Sequence, residues 1–249
     1  MRIPRVFVDL PLAPGATVEL PGEACEHLLR VLRLGEGAAL TLCNGDGSDY
    51  GARIAAIGKR GATASVLEST PNAAESPLRI VLAQALARGE KMDWVVQKAT
   101  ELGVAAIAPI VTERTEVRLD AERAGRRLAH WRGVAAAACE QCGRARLPAI
   151  AEPRTLAAWL ADAPSGSMRF ALDPGGVPLR EVAAEIARAE SLPVLQLVVG
   201  PEGGLSERDL AQLRAAGVRG MKLGPRILRT ETAGLAAVSA LQALLGDLG

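Results

Sequence analysis

Aromatic side chains are nearly missing: two Phe, three Trp and one Tyr stand among 249 residues. The core must therefore be built from Ala, Leu, Val and Ile, and the ring platforms on which single-strand nucleic-acid binders stack bases are limited. A dominant charge sign is missing too. The formal net charge is +1, so bulk electrostatics points to no nucleic-acid or membrane partner. No apolar run approaches the ~20 residues of a membrane-spanning helix. Met1–Leu10 carries Arg2, Arg5 and Asp9 with no apolar centre, so no signal peptide is expected. A cytoplasmic protein without membrane contact is the expectation. Of the four cysteines, Cys139 and Cys142 form a C-x-x-C, but no second close pair completes a zinc set. They fall in an Ala-rich helical stretch, which predicts small buried or half-buried thiols and no metal.

What is present is ordinary for a globular chain: 49% hydrophobic and 23% charged residues, enough for one large or two modest domains. Residues 1–70 read as a small β-rich unit. Strands are predicted at Arg5–Leu10, Thr17–Leu20, Ala39–Cys43, Tyr50–Ile57 and Ala62–Leu67, with turns at Asn44-Gly45-Asp46-Gly47 and Gly58-Lys59-Arg60-Gly61. Short strands so spaced suggest a small barrel. Between them, Glu23–Leu34 has helical spacing that would put His27, Arg30 and Arg33 on one face. That face is either solvated or a phosphate contact, with Lys59 and Arg60 nearby if the barrel closes that way.

Ser69–Pro77 has linker composition. Beyond it, over 78–249, strands alternate with helices. Strands are predicted at Arg79–Ala83, Val104–Val111, Met168–Leu172, Val194–Val199 and Val218–Leu223. Helices are predicted near Lys91–Leu102, Leu119–Cys142, Leu156–Ala163, Leu179–Ala189, Glu207–Ala216 and Glu231–Leu245. All-apolar strands in that alternation indicate a parallel sheet covered on both faces, an α/β fold. Residues 79–154 hold 13 Lys/Arg against 9 Asp/Glu, and the surplus is either a solvated helix face or a basic patch.

The chain is organised around Leu195–Thr232. One apolar run stops at Gly200-Pro201-Glu202-Gly203-Gly204, and another ends at Leu223-Gly224-Pro225, followed by Arg226-Ile227-Leu228-Arg229-Thr230-Glu231-Thr232. Ligands of open α/β sheets bind where strand carboxyl ends meet loops. The glycine spacing matches neither a dinucleotide fingerprint nor a P-loop. Bare main-chain edges suit a neutral heterocycle better than a triphosphate, so residues alone suggest an adenosine-like ligand without a metal. Ser206 with Asp209 predicts a capping box, Gly217 a left-handed stop, and Thr230 with Glu231 a cap and a negative charge at the last helix.

LVVGPEGGLSERDL with LGPRILRTETAGLAAVSALQALLGDLG closely resembles the C-terminal hallmark of the RsmE family, 16S rRNA (uracil-N3)-methyltransferases of the SPOUT class. The resemblance runs nearly end to end. Arg2-Ile3-Pro4-Arg5 and His27-Leu28-Leu29-Arg30-Val31-Leu32-Arg33 resemble that family's PUA-like front domain. Arg88-Gly89-Glu90-Lys91-Met92 with Gln97–Gly103 resembles its first catalytic-domain motif, and Ala138–Arg144 the end of its central helix. The resemblance implies a PUA-like β-barrel RNA-binding domain over 1–70 and a SPOUT methyltransferase domain over 78–249 that carries a trefoil knot. It implies a homodimer with the final helix in its interface, and 16S rRNA or the small ribosomal subunit as partner. It also implies S-adenosyl-L-methionine held by Leu172, by Val199, Gly200, Pro201, Glu202, Gly203 and Gly204, and by Leu223, Gly224, Ile227, Leu228, Arg229 and Thr230.

Methylating N3 requires loss of the proton that uracil carries there at neutral pH, so the site needs a base or a charge-stabilising cation. Arg229 is the first candidate for that cation and Arg226 the second, while Glu202 or Glu231 would accept the proton. Arg114 and Arg144, with Arg118, are candidate RNA contacts on the second domain, beside His27, Arg30 and Arg33 on the first. The rival readings are a SPOUT enzyme acting on another RNA, a non-catalytic RNA-binding protein of the same fold, and a nucleotide-dependent enzyme. Intact loops disfavour the second rival, and missing fingerprints the third.

Overall fold

The structure is a computed structural model that describes residues 3–59, 61–162 and 166–249. Arg2, Arg60 and Ala163, each part of a stretch named above, lie outside the described residues. The chain forms two units: the residues up to Glu75 with Ala136–Leu147, and Ser76–Ala135 with Pro148–Gly249.

In the first unit, β1 (Arg5–Phe7) runs parallel to β3 (Ala39–Cys43). Then β4 (Ser48–Gly58), β5 (Gly61–Pro71) and β2 (Thr17–Glu19) follow antiparallel, in the order β1-β3-β4-β5-β2. Along β5, Ala62, Ala64 and Val66 are buried and alternate with more exposed residues, the period of a half-buried strand. They join Val6, Leu28, Leu40, Leu42 and Ile54 in an aliphatic core. The helix predicted at Glu23–Leu34 differs. It begins as α1 (Gly22–Cys25) and continues as a π-helical segment, Glu26–Val31, with Leu32 N–H bonded to His27 O. A wider turn moves residues three apart off a common stripe. His27, Arg30 and Arg33 are all exposed, but they do not form one helical face, because Arg33 lies past the helix with φ 55°.

Two arginines of this unit are clamped to carboxylates. Arg5 donates to both Asp49 carboxylate oxygens at 2.9 and 2.7 Å, and Asn72 donates to Asp49 at 2.9 Å. Arg144, 3% exposed, donates to Glu75 through Nε (3.1 Å) and Nη2 (2.8 Å). Cys43 and Cys139 are buried free thiols, and Cys142 is half-buried. Burial pushes the Cys43 and Cys139 thiols up to about 11 and about 12, so they stay protonated and inert near neutral pH.

The second unit is built on a parallel sheet in the order β12 (Arg219–Lys222), β10 (Met168–Pro178), β11 (Leu195–Val199), β6 (Ile80–Ala85), β7 (Ala106–Val111) and β8 (Ala149–Ile150). β9 (Arg154–Thr155) also pairs with β7. β8 and β9, two residues each, are too short to carry a periodic signal. Alternate strand residues face opposite ways. Ala83, Ala85 and Val198 pack with Leu156 and Trp159 of α4 (Leu156–Ala161) and Leu213 of α6 (Glu207–Ala215). Leu82 and Val199 instead meet Gly234 of α7 (Thr230–Leu245). The remaining helices are α2 (Lys91–Glu101), α5 (Leu179–Ile186) and α3 (Ala121–Cys142), of which the residues from Ala136 onward belong to the first unit.

Local chemistry sets the ends of α6. Ser206 and Asp209 form the predicted capping box, and Gly217 adopts φ 75° just past its end. At α7 the expectation changes. The N-cap is Arg229, Thr230 is already helical, and its hydroxyl is engaged elsewhere.

β10 continues past the predicted end at Leu172, but its register with β12 shifts between Leu172 and Val177, so residues 173–176 bulge out. A Cβ on Gly176 would lie 2.3 Å from the Gly220 carbonyl carbon; only glycine lets these two backbones meet. β12 is the sheet's edge, yet α7 packs against α2, β6 and β11 nearer its middle. Residues 223–229 must therefore cross the carboxyl ends of β10 and β11. The knotted threading implied by the resemblance would fall at this crossing.

Candidate cofactor site

Three strand ends open onto one cavity of about 530 Å³, within the range of small-molecule sites. Its walls are the bulge after Leu172, the loop Val199–Leu205 and the crossing Leu223–Thr230, with Lys91 of α2 at one side. The predicted residues Leu172, Val199, Gly200, Pro201, Glu202, Gly204, Leu223, Gly224, Arg226, Ile227, Leu228, Arg229 and Thr230 all line it. Gly203 does not. It faces Arg114, whose Nη1 donates to its carbonyl at 3.0 Å. That bond ties down the loop Gly200–Gly204 from outside the cavity.

A buried polar relay holds the crossing in place. Gln84, fully buried on β6, donates to Thr230 Oγ1 at 2.8 Å and to Ala85 O at 3.1 Å. Thr230 Oγ1 in turn donates to Gly200 O at 2.6 Å. The start of α7 is thereby joined to the ends of β6 and β11, so the two glycine loops keep one spacing. Neither partner in this relay is adjacent in sequence, which is why the threonine reads as a cap when only local spacing is available.

Glu202 accepts from Lys91 Nζ at 2.9 Å and from the Arg88 backbone N–H at 3.0 Å. Burial alone would raise its carboxyl, but these donors hold it below the ordinary carboxylate value. Such a group is a weak proton acceptor. Glu231, on the first turn of α7, is different. Its buried Oε2 has no hydrogen-bond partner among the described residues and lies 3.9 Å from Lys91 Nζ, an ion-pair distance beyond hydrogen-bond reach. Arg226 and Arg229 are exposed at the rim, with no carboxylate partner among the described residues. Lys91, Asp173, Lys222 and Glu231 also line the cavity. Lys91 lay inside a motif, Arg88–Met92, that carried no residue role on sequence grounds.

The proposed RNA contacts separate into two kinds. His27, Arg30, Arg33 and Arg114 are exposed, although Arg30 is ion-paired with Glu26 at 3.1 Å. Arg144 is corrected: buried and clamped to Glu75, it braces the first unit and presents no charge to a phosphate.

A cavity of this size at the carboxyl edge of a parallel sheet, walled by glycine loops, marks the class of α/β proteins that bind a small ligand at their strand ends. The description "RNA methyltransferase domain" matches residues 74–242, and "RNA methyltransferase PUA domain" matches residues 20–67. The ribosomal RNA small subunit methyltransferase E of Bacillus subtilis is 32% identical over 95% of each chain. Among solved structures, the corresponding protein of Neisseria gonorrhoeae, bound to S-adenosyl methionine, superposes with TM-score 0.88 at 36% identity, covering all of both chains. A Legionella pneumophila methyltransferase, in complex with the same cofactor, superposes with TM-score 0.91 at 36% identity and equal coverage. The chain belongs to the ribosomal RNA small subunit methyltransferase E family.

Proposed function

We propose that this chain uses S-adenosylmethionine to methylate N3 of a uridine in the 16S rRNA of the small ribosomal subunit. The observation that carries the reading is the single cavity into which both glycine loops and the exposed Arg226 and Arg229 converge. Its residues suit the cofactor. Bare main chain at Gly200, Gly204 and Gly224 can approach an adenine edge closely. Leu172, Val199, Leu223, Ile227 and Leu228 offer apolar walls, and the carboxylates of Asp173, Glu202 and Glu231 offset positive charge. When bound, S-adenosylmethionine supplies a methyl carbon made electrophilic by its sulfonium.

The rest falls to the chain. Arg229, first, and Arg226, second, stabilise the negative charge that uracil acquires as N3 loses its proton. Of the carboxylates lining the cavity, Glu202 or Glu231 receives that proton. Because N3 lies on the Watson–Crick edge, the target base must be unpaired or turned out of its stack. His27, Arg30 and Arg33 in residues 1–70, with Arg114 in 78–249, orient the RNA through phosphates, which position without reading sequence. In this reading the first segment is a PUA-like RNA-binding domain and the second the SPOUT methyltransferase domain. The enzyme acts in the cytoplasm as a homodimer. Leu244 of α7 is 57% exposed and supplies apolar surface for an interface on the last helix.

Reverse transcription across small-subunit rRNA tests the reading, since N3 methylation blocks pairing and stops the polymerase. A stop present in wild-type cells should vanish when the gene is deleted. A stop that survives the deletion refutes it.

A further inference from the structure

Two carboxylates share the cavity wall near Lys91, and their surroundings are unequal. Glu202 receives two donors, Lys91 Nζ at 2.9 Å and the Arg88 N–H at 3.0 Å, and its side chain is 33% exposed. Glu231 has a side chain 18% exposed, and its Oε2 is buried without a hydrogen-bond partner among the described residues. A buried carboxylate oxygen without a donor is unfavourable, and Glu231 Oε2 is the only carboxylate oxygen so placed among the described residues. Lys91 Nζ lies 3.9 Å from that oxygen, beyond hydrogen-bond reach, and is already engaged as a donor to Glu202.

We infer that Glu231 is the general base that takes the N3 proton, and that the Lys91–Glu202 pair keeps Lys91 from donating a hydrogen bond to the Glu231 carboxylate. The inference rests on the uracil-N3 reading above. The N3–H proton passes to the Glu231 carboxylate, and the N–H electron pair stays on N3 as a uracil anion delocalised onto O2 and O4. Glu231, now a neutral acid, afterwards releases the proton to solvent. The other charged groups lining the cavity divide the work. Arg226 and Arg229 face the anion, Lys91 and Glu202 neutralise each other, and Asp173 and Lys222 lie on the walls formed by β10 and β12. Glu202 is a positioning residue: it fixes Lys91 and, through the Arg88 N–H, the loop before α2.

The test compares Glu231→Gln, Glu231→Asp and Glu202→Gln with wild type, using small-subunit rRNA lacking the modification. Single-turnover rates are followed from pH 6.5 to 9, alongside calorimetric S-adenosylmethionine affinity and thermal unfolding. Glu231→Gln should bind the cofactor within a few-fold of wild type and unfold at the same temperature. Its rate should fall roughly 10²–10⁴-fold at pH 7, and the deficit should shrink by about tenfold per pH unit as hydroxide ionises N3 directly. Glu231→Asp should recover part of the rate, and Glu202→Gln should weaken cofactor binding without that pH-dependent rescue. A pH-independent deficit in Glu231→Gln, or the rescue appearing in Glu202→Gln instead, overturns the assignment. If wild type forms no N3-methyluridine by mass spectrometry of the digested RNA, the function itself is wrong. If wild type forms it and Glu231→Gln is equally fast, only this inference falls.

Discussion

The two units use charge in opposite ways. In the first, Arg5 is forked onto Asp49 and Arg144 onto Glu75, so both of these cations are matched by carboxylates. Around the cavity of the second, Arg226 and Arg229 have no carboxylate partner among the described residues, and one Glu231 oxygen has no donor. A buried ion pair adds little net stability but is costly to break, so paired arginines hold a fold together. An arginine kept unpaired beside a cavity retains its charge for something that enters. Arginine count alone does not distinguish the two roles; the partner does.

The largest effect should come from the unpaired side. Arg229→Ala should leave S-adenosylmethionine affinity within a few-fold while lowering the single-turnover methylation rate by roughly 10²–10⁴. An unchanged rate would place Arg229 with the structural arginines. On the paired side, Glu75→Ala leaves Arg144 buried without its counter-ion. It should lower unfolding free energy by about 3 kcal/mol, read from urea denaturation. Glu75 is itself a quarter exposed, so the low end of the range for buried pairs applies. Cofactor affinity should not follow, and a parallel loss there would blur the contrast.

Thr230→Val probes the relay that holds the cavity walls. It removes the hydroxyl that serves both Gln84 and Gly200 O, and should cost about 1–3 kcal/mol, since buried polar groups are left unpaired. Weaker cofactor binding should accompany it in calorimetry. The smallest effect belongs to the exposed cations of the first unit. Reversing Arg30 and Arg33 to Glu should weaken RNA binding and flatten its salt dependence, by about 0.7 in log–log slope for each phosphate no longer neutralised, with cofactor binding intact. An unaltered slope would make that surface merely solvated.

Much of the fold was legible without coordinates because its signals are local. The largely apolar runs at Leu195–Val199 and Ile80–Ala85, the Ser206–Asp209 box and Gly217 act within a few residues of themselves, and their elements lie close to where spacing placed them. The π-helical turn at Glu26–Val31 was not legible. An apolar pattern marks a helix but does not say how wide its turns are. β8 and β9 were missed because two residues carry no period.

The site divides along the same line. Sequence by itself determined which stretches are bare of side chains and where apolar runs stop, and with them the two loops that line the cavity. Tertiary structure decided which polar groups are already engaged. Arg144 sits in a motif yet is clamped to Glu75, Gly203 belongs to the loop yet faces Arg114, and Thr230 reaches Gly200 and Gln84 rather than capping α7. The reason is physical. Backbone propensity is set by near neighbours in the chain, whereas the availability of a charge or a hydroxyl depends on partners 30 to 146 residues away, which only the packed chain brings together.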